Sequence, residues 1–389
     1  MIRKYFYFWN KVIVPMKTIV LATAALFVFS PIFLEAQNKA GDFIRQGNES
    51  VEKENYEQAL LLFKAAIMAE PFNAEAYNER GKVKSMMEDF YGAIGDFNFA
   101  IEYDSTVEGY YNNRGIAKFY LGDNAAAIPD FNKALKLNEE NADAYANRGF
   151  AWYNLEYYEE AFFDFSRAIN FDPDDPDKLF NRGVTSAELG EYLNAIDDYT
   201  RSIRLDPDDA ETYNYRGVAR YTLGDYTSAV ADYSKAIELD STDATKYDNR
   251  ALARSALADY EGAIADYTAS LALFPDDPDA YNFRGVARYN LENYDGAIED
   301  YTKAIEMDPG EALFYDNRAS AKFEIRDFEG SIKDYTSSIE LYPTDPEAYY
   351  FRALSKFELG NNYDGCLDLN TAANMGLETA SKELKKKCN

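Results

Sequence analysis

The chain lacks histidine and has only two cysteines among its 389 residues. Without histidine it has neither the usual general base nor the preferred nitrogen ligand of zinc. Its sequence also contains no phosphate-binding loop of the Gly-x-x-x-x-Gly-Lys type and no recognisable set of nucleophile and base. We therefore predict no catalytic residue, no metal site, no cofactor and no small-molecule substrate. An enzyme with an unrecognisable site is the remote alternative.

Basic residues are also scarce, since 40 Lys and Arg stand against 68 Asp and Glu, for a formal net charge of −28. This balance argues against a nucleic-acid partner, because binding phosphates requires clustered Lys and Arg. The acidic excess favours either basic partners or simple solubility, and solubility is the simpler interpretation. The 33 tyrosines and 26 phenylalanines are too many for a disordered acidic chain.

An apolar run occurs near the start of the chain, at residues 19–34, and follows several basic residues. Such a run, followed by a small residue such as Ala36, is typical of a secretory signal, and it is short for a membrane span, which needs about 20 apolar residues. We expect residues 1–36 to be a signal peptide cleaved after Ala36 or, alternatively, an uncleaved membrane anchor. Translation starts at Met1 or Met16. The rest of the chain is then periplasmic or extracellular, and contacts a membrane only through this segment if the segment is retained.

An arginine recurs every 34 residues, and an aspartate follows each arginine sixteen residues later. A fixed period in this range indicates a stack of similar supersecondary units. No insertion interrupts the period, so residues 40–379 divide into ten units. The recurring pairs are Arg80 and Asp96, Arg114 and Asp130, Arg148 and Asp164, Arg182 and Asp198, Arg216 and Asp232, Arg250 and Asp266, Arg284 and Asp300, Arg318 and Asp334, and Arg352 and Asp368.

Each unit contains two stretches with apolar residues at helical spacing, separated by a short polar turn. Small residues such as Gly285 and Ala297 recur at fixed places, and a large ring such as Tyr301 follows the aspartate. Small residues facing large ones at matching heights allow helices to interlock. This pattern resembles the tetratricopeptide repeat family over residues 40–379, although that family often has leucine where arginine precedes the glycine here.

The resemblance implies an all-α, right-handed superhelical solenoid of antiparallel helix pairs, with the first helix of each pair lining a concave groove. The expected domains are ten tandem repeats over residues 37–379 and, at 380–389, the end of a capping helix that spans about 377–387. The implied function is a non-enzymatic scaffold that binds a peptide or protein partner, of unknown identity, in the groove. A self-associating structural element of the cell envelope is the alternative.

Tetratricopeptide domains that bind a C-terminal carboxylate use paired lysines and asparagines, and the lysines are missing here. The groove positions that the resemblance implies carry apolar, aromatic and asparagine side chains, which suit an extended or helical peptide. The alternative is that the apolar rings pack between neighbouring first helices. The candidate partner-binding residues are Asn78, Asn112, Asn214, Asn282, Phe119, Phe150, Tyr153, Tyr221, Tyr289, Phe323 and Phe357.

The arginine and the aspartate of a unit lie about eight residues on either side of the turn, or about 12 Å along each helix at 1.5 Å per residue. An antiparallel hairpin therefore places them at the same height. In the unit 40–73 both are replaced together, by Gln46 and Leu62, as expected of a pair. We predict structural ion pairs within or between units. A row of arginines that binds an acidic ligand is the alternative.

The end of the chain carries both cysteines, Cys366 and Cys388, on either side of the helix-terminating Gly376. An antiparallel hairpin brings them to similar heights, and an exported protein can oxidise them. We predict a Cys366–Cys388 disulfide, with two free thiols as the alternative. The acidic loops at 172–177 and 276–279 either cap helices or bind calcium, and capping is the simpler interpretation.

Overall fold

The computed structural model describes residues 31–388, with side chains from residue 39 onward. The described residues form 21 α-helices and no strand, which confirms the predicted all-α fold. They belong to two compact units that divide between Pro207 and Asp208. Of the expected leader, residues 1–30 lie outside the described residues, whereas residues 31–36 belong to the first helix.

Ten helices belong to the first unit and eleven to the second, all within the described part of the chain. Those of the first unit are α1 (Pro31–Glu52), α2 (Tyr56–Ala69), α3 (Ala74–Met86), α4 (Phe90–Tyr103), α5 (Glu108–Tyr120), α6 (Asn124–Leu137), α7 (Ala142–Asn154), α8 (Tyr158–Phe171), α9 (Pro176–Glu188) and α10 (Tyr192–Leu205). Those of the second unit are α11 (Ala210–Thr222), α12 (Tyr226–Leu239), α13 (Ala244–Ala256), α14 (Tyr260–Leu273), α15 (Pro278–Asn290), α16 (Tyr294–Met307), α17 (Ala312–Glu324), α18 (Phe328–Leu341), α19 (Pro346–Glu358), α20 (Asn362–Asn374) and α21 (Glu378–Lys387).

Consecutive helices pack as antiparallel pairs, so that each unit is a solenoid of helical hairpins. The first helices from α3 onward begin at the first residue of each 34-residue period. Helix α1 is longer than the first helices that follow it, with 22 residues against 13 in α3. None of the described helices is both long enough and apolar enough to cross a bilayer.

Aspartate and asparagine side chains begin most of the helices. The Asp89 carboxylate accepts a hydrogen bond from the Gly92 amide at 2.9 Å, and Asn141 accepts one from the Ala144 amide at 2.9 Å. Such caps satisfy amides that the first helical turn leaves without a carbonyl partner. The recurring Asp and Asn therefore place the helix boundaries at the same point of successive repeats.

A residue with left-handed backbone geometry follows the first helix of most pairs. It is glycine at Gly122 and Gly224, both with φ of 82°, but Glu88 and Arg326 adopt φ of 62° and 65° at the same position. A non-glycine residue there costs about 1 kcal/mol. The turn geometry is therefore kept even where the sequence does not favour it.

The core of a repeat lies where its two helices cross. A Cβ atom at Gly81 would be only 2.7 Å from the ring of Phe97, which is fully buried. Ala93 belongs to the same buried cluster as that ring, and Ala100 is also fully buried. Glycine and alanine thus allow the close approach that a large ring on the second helix requires.

Candidate functional site

Every predicted Arg–Asp pair is a two-point ion pair inside one repeat. In the first of them, Arg80 donates from Nε to Asp96 Oδ2 at 2.8 Å and from Nη2 to Asp96 Oδ1 at 2.6 Å. The Asp96 side chain is 4% exposed and the Arg80 side chain 20%. The same geometry recurs in all nine pairs.

The remaining guanidinium nitrogen often joins the preceding repeat. Arg114 Nη1 donates to Asn98 Oδ1 at 2.7 Å, and Arg318 Nη1 donates to Thr302 Oγ1 at 3.1 Å. A tyrosine ring also lies close to the guanidinium, with Arg284 Cζ 5.3 Å from the centre of the Tyr281 ring. The arginines are therefore engaged inside the protein, which leaves little support for the alternative that they bind an acidic ligand.

A second basic residue, four positions after the arginine, contacts the same aspartate in seven repeats. In the repeat 108–141, Lys118 Nζ lies 2.7 Å from Asp130 Oδ2. The seven residues are Lys84, Lys118, Arg220, Arg254, Arg288, Lys322 and Lys356, at distances of 2.6–3.0 Å. Sequence reasoning missed this row, although the same 34-residue period reveals it.

Two of the nine repeats with an Arg–Asp pair lack the second basic residue. Ser186 replaces it in one, where Arg201 Nη1 instead lies 3.8 Å from Asp198. Trp152 replaces it in the other, where Asp164 has Arg148 as its basic partner. Among the described residues, Asp164 is thus the member of the aspartate row with a single basic neighbour. Burial raises the pKa of the Asp164 carboxyl, and Arg148 opposes that shift.

Sequence reasoning also missed two buried lysines. Lys178 Nζ lies 2.6 Å from Asp175, 2.9 Å from Asp172 and 3.2 Å from Asp143. Lys246, which is 1% exposed, is surrounded in the same way by Asp240, Asp243 and Glu211 at 2.7, 3.0 and 3.1 Å.

Each of these lysines joins the end of one repeat to the start of the next. Two of its three carboxylates belong to the preceding inter-repeat loop. Hydrogen bonds and charge attraction from those carboxylates raise the pKa of Lys246 although burial opposes the shift. The acidic loop 172–177 is therefore more than a solvated helix end, because it also neutralises a buried lysine. In the described part of the chain, no group of three or more Asp, Glu or Cys side chains is arranged to hold a metal ion.

The predicted asparagine row lies between repeats. Asn113 Nδ2 donates to Asn78 Oδ1 at 2.9 Å, and the same contact, at 2.8–3.1 Å, joins Asn147 to Asn112, Asn249 to Asn214, and Asn317 to Asn282. Asn78, Asn214 and Asn282 are less than 9% exposed. Their carbonyl oxygens are already satisfied inside the solenoid. These bonds give the row a structural role, and its role in binding a partner's backbone stays a prediction.

The predicted aromatic row is half-buried. Each of four of its rings packs on an aromatic residue five positions later, at the start of the second helix, with ring centres 5.1–5.3 Å apart. These pairs are Tyr153 and Tyr158, Tyr221 and Tyr226, Tyr289 and Tyr294, and Phe323 and Phe328. Phe119 packs instead on Phe150 of the next repeat, with the ring centres 6.5 Å apart. One side of each ring therefore supports the fold.

The last predicted groove residue, Phe357, lies against the C-terminal helix. It packs against the same buried cluster as Leu384 of α21, and Lys387 Nζ is 4.7 Å from the centre of its ring. A disulfide between Cys366 and Cys388 joins α20 to the end of α21. Helix α21 thus covers the side of the final repeat on which a further repeat would stack.

Four sequence-family models match the chain. Models described as Tetratricopeptide repeat match residues 249–312, 210–243 and 142–175, and one described as TPR repeat matches residues 115–156 and 186–224. No curated protein matches the chain.

Several solved structures resemble it. The C-terminal part of a TPR repeat-containing protein from Cytophaga hutchinsonii is 20% identical, with a TM-score of 0.52 and coverage of 62% of this chain and 98% of that one. A tetratricopeptide repeat protein from Parabacteroides merdae is 20% identical, with a TM-score of 0.47 and coverage of 64% and 99%. YrrB, described as a TPR protein with an unusual peptide-binding site, is 24% identical, with a TM-score of 0.40 and coverage of 46% and 95%. The likeness to the Cytophaga protein concerns the fold.

Proposed function

Because the chain belongs to the tetratricopeptide repeat family, we propose that it is a non-enzymatic scaffold that binds a peptide or protein partner. The binding surface is the first-helix face of the second unit, formed by Val218, Tyr221, Val286, Tyr289 and Phe323. Repeats of this kind expose extended surfaces rather than a single closed pocket.

The observation that carries this proposal is the partial exposure of apolar side chains at matching positions of successive repeats. Val218 is 40% exposed and lies one helical turn before the half-buried Tyr221. Val286 and Tyr289 have the same arrangement two repeats later. Aromatic rings held on one side by the fold and open on the other lose little conformational entropy when a partner covers them.

Carboxylates on this face favour a partner with basic side chains. Asp248 and Asp316 occupy the positions that Asn214 and Asn282 hold in the repeats directly before them. Burial, together with nearby acidic residues, raises the pKa of both carboxyls to about 6, so both are largely charged at neutral pH. A segment that combines basic and apolar side chains therefore complements this face best.

An exported location fits the same proposal. The expected leader at residues 1–36 directs the chain out of the cytoplasm, and the Cys366–Cys388 disulfide is of a kind that persists in oxidising compartments. Residues 37–379 then act as the repeat array in the envelope or outside the cell. The self-associating alternative is opposed by the net charge of −28, which makes copies of the chain repel one another.

The test begins with a peptide selected from a random library on the full chain, so that its affinity for variants can be measured. The double variant Y221A/Y289A should weaken binding about tenfold or more, because two anchoring rings are lost. A matched control is Y342A/Y363A, which removes two tyrosines that are 58% and 78% exposed in the same unit but outside the first helices. Equal affinities of the two double variants, both still folded, would refute the proposed face. Light scattering of the full chain would contradict the scaffold model if it showed a stable oligomer that Y221A/Y289A dissociates.

A further inference from the structure

A hollow of about 460 Å³ lies between helices α7 and α8 of the repeat 142–175, lined by Arg148, Trp152, Glu159, Glu160, Phe163 and Asp164. Phe163 is 58% exposed. The indole of Trp152 is held by Tyr157, with the two ring centres 5.6 Å apart in an edge-to-face arrangement. The hollow thus combines aromatic rings, three carboxylates and one guanidinium.

The neighbouring repeat shows what normally fills this place. There Lys118 extends from the position of Trp152, and its Nζ lies 2.7 Å from Asp130 and 3.3 Å from the carbonyl oxygen of Ala126. The corresponding residues around the hollow are Asp164 and Glu160. The repeat 142–175 therefore keeps both acceptors of the second cation but lacks the cation itself.

We propose that the hollow receives a lysine or arginine side chain of a basic polypeptide partner, which supplies the second cation that this repeat lacks. Its charged group contacts Asp164 and the face of Trp152, where a cation is attracted by the ring. Its aliphatic stem lies along Phe163. Glu159 and Glu160 add attraction at the rim, since both are exposed.

Charge supports this assignment. Arg148 alone opposes the three carboxylates, which leaves the lining with two net negative charges. Burial already raises the pKa of the Asp164 carboxyl, which is 2% exposed, so a second cation would relieve a desolvated charge.

The hollow is distinct from the first-helix face. Trp152 lies two residues after Phe150 and one before Tyr153, the counterparts on α7 of Val218 and Tyr221, and at about 100° per residue it is turned about 200° and about 100° away from them. It also belongs to the first unit, whereas the proposed partner-binding face belongs to the second. The two proposals can therefore fail independently.

The hollow carries its own spectroscopic probe, because the chain has only two tryptophans, Trp9 and Trp152. In a full-length W9F chain, Trp152 is the sole source of tryptophan emission. Titration with a hexalysine peptide, at about 0.15 M salt to screen exposed charges, should change that emission saturably. The same peptide with acetylated side chains should not. An emission unchanged by hexalysine would overturn the proposal.

Variants separate this hollow from general attraction to an acidic surface. W152K places a lysine where Lys118 stands in the neighbouring repeat, and should weaken the binding of fluorescein-labelled hexalysine about fivefold. Y91K adds the same charge at a residue of the same unit that is 79% exposed, and should weaken it less than about twofold. Equal losses in the two variants would mean non-specific binding only.

A second pair of variants covers the case in which W152K does not fold. E159Q/E160Q removes two exposed charges at the hollow, and E139Q/E140Q removes two exposed charges from a loop of the same unit. The first should reduce the affinity for hexalysine at least about threefold more than the second. If both reduce it equally, the hollow is not the binding site.

Discussion

Two neighbouring repeats of the first unit, residues 108–141 and 142–175, differ in the number of basic side chains that contact the aspartate. In the first, Asp130 holds both Arg114 and Lys118 at 2.5 and 2.7 Å. In the second, Asp164 holds Arg148 at 2.6 Å, and a tryptophan replaces the lysine. A repeat can thus fold with the Arg–Asp pair alone, and the residue at the position of the second cation can vary between repeats.

The same two repeats differ in how tightly their helices cross. A Cβ atom at Gly115 would lie 2.6 Å from the Phe131 ring, whereas one at Gly149 would lie 3.2 Å from the Phe165 ring. The second repeat is therefore looser at the crossing and incomplete at the ion pair. Residues that depart from the shared pattern can therefore give one repeat a function of its own without loss of the fold.

The largest expected effect is the loss of the aspartate. Asp130→Ala leaves two cations without their carboxylate and should lower the free energy of unfolding by about 3 kcal/mol. Asp164→Ala leaves only Arg148 unpaired and also removes a carboxyl whose burial is poorly compensated, so its effect should be about 1 kcal/mol smaller. Urea unfolding followed by Trp152 emission in the W9F chain measures both, because this residue reports on the first unit. A greater loss for Asp164→Ala would contradict the view that the second cation makes the ion pair stronger.

The glycines give the next effect. Gly115→Ala forces a methyl group into the Phe131 ring and should cost about 2 kcal/mol, since the closely packed ring cannot easily move. Gly149→Ala needs a shift of only a few tenths of an ångström, and the better helix propensity of alanine offsets about 1 kcal/mol. It should therefore be close to neutral. Thermal melts of the two variants test the comparison, and equal losses would show that the two crossings are equally tight.

Much of this architecture could be predicted from the sequence, because the fixed period gives the number of residues that separate two positions of one hairpin. The separation of Arg80 and Asp96 by sixteen residues around a central turn fixes equal heights in a hairpin, and the structure places both side chains in contact. Cys366 and Cys388 follow from the same height argument around Gly376, and they form a disulfide. Contacts within one hairpin can thus be predicted from sequence separations, without knowledge of how the hairpins stack.

Contacts between hairpins were harder to predict. The asparagine row pairs across repeats, as Asn113 does with Asn78, and the face of a helix that a neighbouring hairpin covers depends on the stacking angle. Lys246 was overlooked because lysine is normally exposed, yet it fills a slot that holds alanine at Ala280 in the next repeat. A charged residue in an otherwise small or apolar slot was the signal that could have revealed it.

The smallest expected effect is a pH dependence of stability in the second unit. Asn214 and Asp248 occupy the same position in two of its repeats. Burial raises the pKa of Asp248 to about 6, and Asp277, Asp243 and Asp266 add to the shift while Ser270 opposes it. The folded chain therefore binds this proton more tightly than the unfolded chain, whose carboxyl has a pKa of about 4. The contribution of this carboxyl to stability is then largest below about pH 4 and is lost as the pH rises through about 6.

Asp248→Asn should remove this dependence and raise the stability at pH 7 by about 1 kcal/mol, a modest gain because solvent screens the partly exposed carboxylate. Its advantage over the parent chain should shrink as the pH is lowered towards 4. The reciprocal variant Asn214→Asp keeps an oxygen that can accept from Asn249, but it buries a new charge, so it should be less stable at pH 7 and recover at low pH. Urea unfolding of both variants at two pH values decides the matter. If neither variant shifts the pH dependence, the carboxylate of Asp248 is solvated, and the acidic character assigned to the first-helix face would rest on exposed charges alone.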